Sequence, residues 1–214
     1  MLMKGLYWTL LTMLLALQGC EPAPPDNPGN PFELVRLDTV GKPLPATPAP
    51  GQSWSCVLDR RTSLMWEVKS PELGLQYGGN TYSWHAPDAK HGELDYRGLI
   101  DGGKCSGSIC DTAAYVAALN RKGLCGYQDW RMPHKHELGS ISDPRRPLKV
   151  PTTDIRYFPY TRPGEYWSGN DYSMQYDAAW AWGFDYAQDR VDWKRSAKFV
   201  RVVRGEAKAI KKVE

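Results

Sequence analysis

The chain has 214 residues, 42% of them hydrophobic, and a formal net charge of +3. That suffices for a leader and one domain of ordinary size, and the positive balance is too slight to argue for a nucleic-acid partner. Five cysteines make the redox compartment the first question.

The N-terminus answers it. Lys4 gives a short positive start, and Leu10 to Leu17 form an apolar stretch too short for a comfortable membrane span. Leu17-Gln18-Gly19-Cys20 then places a small residue immediately before a cysteine. This ending resembles the bacterial lipobox, in which cleavage falls before the cysteine and the cysteine is acylated. Residues 1–19 are therefore read as a lipoprotein signal peptide and Cys20 as the lipidated residue, in preference to an ordinary signal that leaves Cys20 a free thiol. Several acyl chains on one residue anchor stably, where a single chain holds only marginally. With Glu21 after the cysteine, the same resemblance to bacterial lipoproteins implies release to the outer membrane. Prolines at 22, 24, 25, 28, 31, 43, 45, 48 and 50 make 20–52 a disordered tether in this reading. Only Phe32 to Leu37 has the apolar content to pack as an ordered arm.

The globular domain is expected over 53–206. Trp54 to Leu58 and Leu64 to Val68 read as two strands, with a turn at Asp59-Arg60-Arg61-Thr62. From Ser70 to Lys104 the chain is rich in Gly, Tyr and polar residues without regular periodicity, which predicts long loops. Asp111 offers an N-cap to a helix over 112–122; Arg121 and Lys122 suit its last turn, and Gly123 its C-terminal stop. Its apolar girth predicts burial. A shorter helix should follow Pro133, from His134 to Ile141. Glu165 to Ser168, Ala178 to Phe184 and Lys198 to Arg204 are aromatic or β-branched and read as strands. Trp180, Trp182 and Phe184 would share one strand face, more as core than as a sugar-stacking surface. Residues 207–214 form a charged tail.

Four cysteines remain after Cys20, an even number for an oxidising compartment. Cys110 and Cys125 flank the long helix, which separates them by roughly 18 Å at the rise of an α-helix. A disulfide needs Cα atoms within about 7 Å, so this pair is excluded. Cys105 and Cys110 bracket a short Gly-containing loop that can close on itself. The favoured pairing is Cys105–Cys110 with Cys56–Cys125, over Cys105–Cys125 with Cys56–Cys110. A zinc site is disfavoured, because the four thiols lack paired CxxC spacing.

Several stretches together resemble a known family. Cys56 to Glu67 contains an approximation of D-x-x-T-G-L-M-W. Gly123 to Pro133, with Glu137 and Leu138, is similar to G-x-x-D-W-R-L-P-T-x-x-E-L. Tyr166-Trp167-Ser168, Ala179-Trp180 and Val200 to Gly205 resemble a closing Y-W-S, A-W and V-R-x-V-R series. The resemblance is to the Lcl C-terminal domain family, named for a bacterial collagen-like adhesin, and runs over most of 54–205. It implies a compact α+β domain, related to C-type-lectin-like and formylglycine-generating-enzyme-like folds, with two helices and short antiparallel strands. In the adhesin it implies binding of sulfated glycosaminoglycan. Ser63 stands where the motif has Gly, and His134 where it has Thr, which is expected to cost the second helix a capping box with Glu137.

Two basic clusters are the candidate ligand-binding residues: Arg145, Arg146 and Lys149, and Lys194, Arg195 and Lys198. Arg forks and mobile Lys charges suit sulfate and carboxylate. Asp129-Trp130-Arg131 reads as a packed turn rather than a binding corner. Asn170, Asp171, Asp177, Asp185 and Asp189 offer oxygen atoms but no calcium-loop spacing, and His134 and His136 lie on different sides of a helix, so no metal or other cofactor is expected. Hydrolase, metalloprotease and phosphate-loop signatures are missing from the sequence. The expected function is a non-enzymatic, outer-membrane-anchored lipoprotein, adhesin-like and engaging anionic glycan. The alternatives are a structural envelope lipoprotein that binds a protein partner, and a redox enzyme using Cys105 and Cys110.

Overall fold

In a computed structural model of the chain, the residues described are 32–88, 96–175 and 177–208. The expected signal peptide 1–19, the expected lipidation residue Cys20, positions 21–31 of the expected tether and positions 209–214 lie outside them.

Among the described residues, seven strands and two α-helices follow one another as β1 (Leu34–Leu37), β2 (Cys56–Asp59), β3 (Leu64–Glu67), α1 (Thr112–Lys122), α2 (Lys135–Ser140), β4 (Glu165–Asp171), β5 (Ala178–Gly183), β6 (Gln188–Trp193) and β7 (Val203–Arg204). They build two small antiparallel sheets, ordered β1-β2-β3-β7 and β4-β5-β6. The expected α+β class, with two helices and short strands, is what forms.

Strand alternation divides the interior in two. Cys56 and Met65 join Tyr82, Trp84, Tyr115, Leu119, Trp130 and Trp167 in one hydrophobic cluster. Val57, Leu64, Trp66 and Val68 join Leu138, Ile141, Phe158, Tyr166 and Phe184 in the other. Neighbouring residues on one strand thus serve different cores.

The helix α1 is fixed by local chemistry. Asp111 accepts the N–H of Ala114, and Gly123, at φ +68°, closes the C-terminus in the left-handed region that a Cβ disfavours. Only one face is buried, through Thr112, Tyr115, Ala118 and Leu119, so the expectation of burial all round is corrected. At α2 the cap survives the loss of Thr. Glu137 accepts the His134 N–H at 2.7 Å, and Asn170 from β4 accepts the Lys135 N–H at 2.8 Å. A side chain brought from another element replaces the one the motif would have supplied.

The domain also starts earlier than its expected boundary at 53. Phe32 is buried, and Leu34 to Leu37 pair with β2 in antiparallel register. The expected tether is therefore corrected over its described part: proline content predicts disorder on average, but Leu34-Val-Arg-Leu37 is a proline-free window with a partner strand to complete. Arg36 is held there by the carbonyls of Ala46 and Arg156, both at 2.9 Å, and lies 4.0 Å over the Tyr157 ring.

The segment 198–204 is not the single strand expected. Lys198 bridges Tyr82, Phe199 bridges Tyr166, and Val203 bridges Arg131 before β7 joins β3. Each residue meets a different neighbour, so the segment stitches the two sheets together instead of lengthening one. The Ser70–Lys104 loops supply two of the largest core side chains, Tyr82 and Trp84, whose indole donates to the Ser168 carbonyl at 2.9 Å. No helix among the described residues is long and apolar enough to cross a membrane.

Both disulfides have the favoured pairing: Cys56–Cys125 and Cys105–Cys110, with Cα separations of 6.5 and 5.5 Å. No thiol of these four is left for a zinc site or a standing nucleophile.

Candidate binding surface

The two basic clusters separate completely. Lys194 is fully buried, its Nζ 2.9 Å from Asp171 Oδ1 and donating to the Tyr96 carbonyl at 2.9 Å, with the Trp84 ring beneath it at 4.5 Å. Burial pushes its pKa down, and Asp171 restores only part of the shift. Lys198 is buried between Glu165 and Asp192, the latter at 2.6 Å. Only Arg195 faces outward, over the Trp193 ring. The Lys194, Arg195 and Lys198 cluster is therefore corrected from a cationic surface to two buried, ion-paired lysines and one exposed arginine. The lysines are inside because their partners come from β4, a distant loop and the end of β6, and only Asp192 of these lies nearby in sequence.

Arg145, Arg146 and Lys149 do reach the surface. They lie on an excursion, 144–151, reading Pro-Arg-Arg-Pro-Leu-Lys-Val-Pro with three cations and no acid. Its neck is closed: the Asp143 N–H donates to the Thr152 carbonyl at 2.7 Å, and the Ser142 and Thr152 hydroxyls meet at 2.6 Å. Thr152 is tied in turn to the Phe184 carbonyl at 2.7 Å, and the Lys149 N–H to that of Asp185 at 3.0 Å. Three prolines fix φ within it. Asp143 takes Arg145 in a fork at 2.8 and 3.0 Å, and this pairing holds its carboxyl below the usual range. Asp154 holds Arg156 at 2.8 Å and Arg146 at 3.6 Å. Burial works against the Asp154 anion, but the two arginines outweigh it and its pKa is lowered. Over 143–156 four cations meet two carboxylates, a surplus of two positive charges (4 − 2). Leu148, Val150 and Ile155 stand exposed beside them, at 62, 42 and 52%.

The other candidates are structural. Trp130 is buried, its backbone gripped on both sides by the Asn120 amide at 2.8 and 2.9 Å. Asp129 forks onto Arg204, and Arg131 onto Glu137, whose pKa burial would raise but Arg131 brings down. The Asp129-Trp130-Arg131 stretch is a packed turn. On β5 the fully buried residues are Ala179 and Ala181; Trp180 and Trp182 lie half-buried on the opposite face, under α2 and Lys135. Gly139 lets them approach, since a Cβ there would stand 3.0 Å from the Trp182 ring. Only Phe184 of that stripe is full core. Asp171 and Asp189 are answered by Lys194 and Lys135, and among the described residues no three His, Cys, Asp or Glu side chains are grouped to hold a metal ion.

Composition gave no sign of a buried polar knot. Glu67 accepts from Lys69 at 2.9 Å and from the Tyr115 hydroxyl, and Lys69 also donates to Tyr115 at 2.8 Å. Burial lowers the Lys69 pKa and raises that of Tyr115. Arg201, fully buried, donates to Thr161 at 2.7 Å and lies 4.6 Å over Phe158. Lys69 borders a cleft of about 560 Å³ walled by Trp54, Pro71, Pro159 and Tyr160, yet its ammonium is bonded inward. The alternating Met65, Glu67, Lys69 series is the signal that would have found this knot, since period two sends all three to the face of Tyr115.

Two helices, two small sheets and two disulfides around a double core define a cross-linked α+β module of the kind suited to an oxidising exterior. The chain belongs to the Lcl C-terminal domain family, which it matches over residues 55–204, an adhesin-related family of bacterial surface domains. No curated protein and no solved structure matches the chain.

Proposed function

We propose that the protein is a non-enzymatic binding lipoprotein of the outer membrane, anchored through Cys20, whose 144–151 loop engages anionic glycan. The observation that carries this reading is the loop itself: three cations, no acid and a hydrogen-bonded neck, with Arg145 and Lys149 exposed and Arg146 partly so. Arginine forks match sulfate and carboxylate oxygens in pairs, and an exposed charge pays little desolvation before its ligand arrives. Membership of an adhesin-related family supports a binding role.

Retention on a heparin column tests it. The mature chain should elute at lower salt after Arg145→Gln/Arg146→Gln/Lys149→Gln, and unchanged retention would remove the loop from the reading. The anchor has its own test. Cys20→Ser should move the protein out of the membrane fraction, and persistent detergent-phase partitioning would refute lipidation at Cys20.

A further inference from the structure

We propose that the 144–151 loop, beyond anionic glycan, also docks on the surface of an anionic membrane, with Leu148 and Val150 entering its apolar layer between the cations. This rests on the anion-binding role given to the loop above and adds a second anionic partner to it. Sulfate or carboxylate alone does not account for the loop's composition. Leu148 and Val150 flank Lys149 and are 62 and 42% exposed, and Ile155, 52% exposed, follows within the same surface segment. The Lys149 N–H is bonded to the Asp185 carbonyl, which brings Tyr186, 42% exposed, alongside. A soluble polyanion would leave these aliphatic groups in water. A lipid surface offers both halves of the match: phosphates for Arg145, Arg146 and Lys149, and hydrocarbon just beneath for the side chains between them.

The closed neck matters here. Prolines at 144, 147 and 151, with the Asp143–Thr152 and Lys149–Asp185 backbone bonds, leave little conformational freedom to lose on docking. A protein partner fits less well, because a stable interface needs on the order of 800 Å² from each side around buried aromatic anchors. The loop tip offers two aliphatic side chains and a ring of like charge. A membrane needs no such area, since each inserted methylene and each cation near the phosphates contributes independently.

The experiment uses the mature chain carrying Cys20→Ser, so that no acyl anchor contributes. Co-sedimentation is measured with phosphatidylcholine vesicles, with and without phosphatidylglycerol, and heparin retention is followed in parallel. Binding is expected only to the vesicles containing phosphatidylglycerol. Leu148→Ser/Val150→Ser should weaken it about tenfold or more, as loss of even two inserted methylenes implies, while heparin retention stays unchanged. Vesicle binding equal to that of the parent in this variant overturns the inference, as does a parent that is retained on heparin yet ignores anionic vesicles. Heparin retention indifferent to Arg145→Gln/Arg146→Gln/Lys149→Gln would instead overturn the underlying reading. Positions 148 and 150 are exposed, so folding is not at stake in the decisive variant.

Discussion

Two stretches of this chain, 145–149 and 194–198, each carry three cations within five residues, and the fold sends them to opposite environments. In the first, prolines and a hydrogen-bonded neck hold the loop at the surface, so Arg145, Arg146 and Lys149 stay with solvent and nearby carboxylates. In the second, Lys194 and Lys198 turn inward to Asp171, Glu165 and Asp192. A count of charges along a sequence therefore does not locate a basic surface; the whereabouts of the neutralising carboxylates does. One stretch serves stability and the other is free to serve recognition.

The interior side of this contrast should show the largest effects. Cys56 and Cys125 belong to the same cluster as Trp84 and Trp167, the rings beneath Lys194 and Lys198. Their bond spans 69 residues, for which chain-entropy reasoning gives roughly 4 kcal/mol, against about 2 kcal/mol for the five-residue span of Cys105–Cys110. Urea unfolding of Cys56→Ala/Cys125→Ala and Cys105→Ala/Cys110→Ala should rank in that order, and equal losses would contradict it. Next comes Lys194→Met, which removes the buried ammonium that faces Asp171 and should cost about 2–3 kcal/mol, below the full buried-pair range because Asp171 retains some solvent contact. Adding Asp171→Asn should recover most of the loss. A Lys194→Met change under about 0.5 kcal/mol would place this lysine with ordinary surface charges and break the comparison.

A smaller effect, of opposite sign, is expected at Ser63, which occupies the left-handed region at φ +63° where the family motif has Gly. Ser63→Gly should stabilise by about 0.5–1 kcal/mol, because only the side chain makes that conformation costly. A thermal melt that does not rise would show the position to be relaxed. Smallest of all is Arg145→Gln/Arg146→Gln/Lys149→Gln, which should leave stability within about 0.5 kcal/mol while it weakens anion binding. A large stability loss there would make the exposed loop a structural element after all.

What the sequence disclosed tracked how local each determinant is. The helix α1 was legible to its ends because Asp111, Arg121, Lys122 and Gly123 act within a turn of where they stand. The disulfide pairing followed from that helix, since its length sets which cysteines can meet. β1 was obscured by the prolines around it, although its own four residues contain none. β6 (Gln188–Trp193) was missed because only Val191 and Trp193 of its six residues are apolar; as an edge strand it leaves both of them exposed. The burial of Lys194 was out of reach for another reason: its partners lie 23 residues back at Asp171 and 98 back at Tyr96. Of the candidate surface, the half built from one continuous loop was readable, and the half that needed tertiary partners to be disqualified was not.

The polar edge of β6 has a consequence for molecules held side by side on one surface. An open strand edge is a template for a neighbour's strand, and crowding raises the chance of such pairing. Here Asp189, Arg190 and Asp192 punctuate the edge, and all three are already engaged, Asp189 with Lys135 at 2.6 Å, Arg190 with Glu165 at 3.4 Å and Asp192 with Lys198 at 2.6 Å. A second copy adding its own β6 would have to disturb those pairs and crowd like charges against one another before its exposed Val191 and Trp193 gained any contact. The strand that contributes least to the core is thus the one that guards the domain against sheet-to-sheet aggregation.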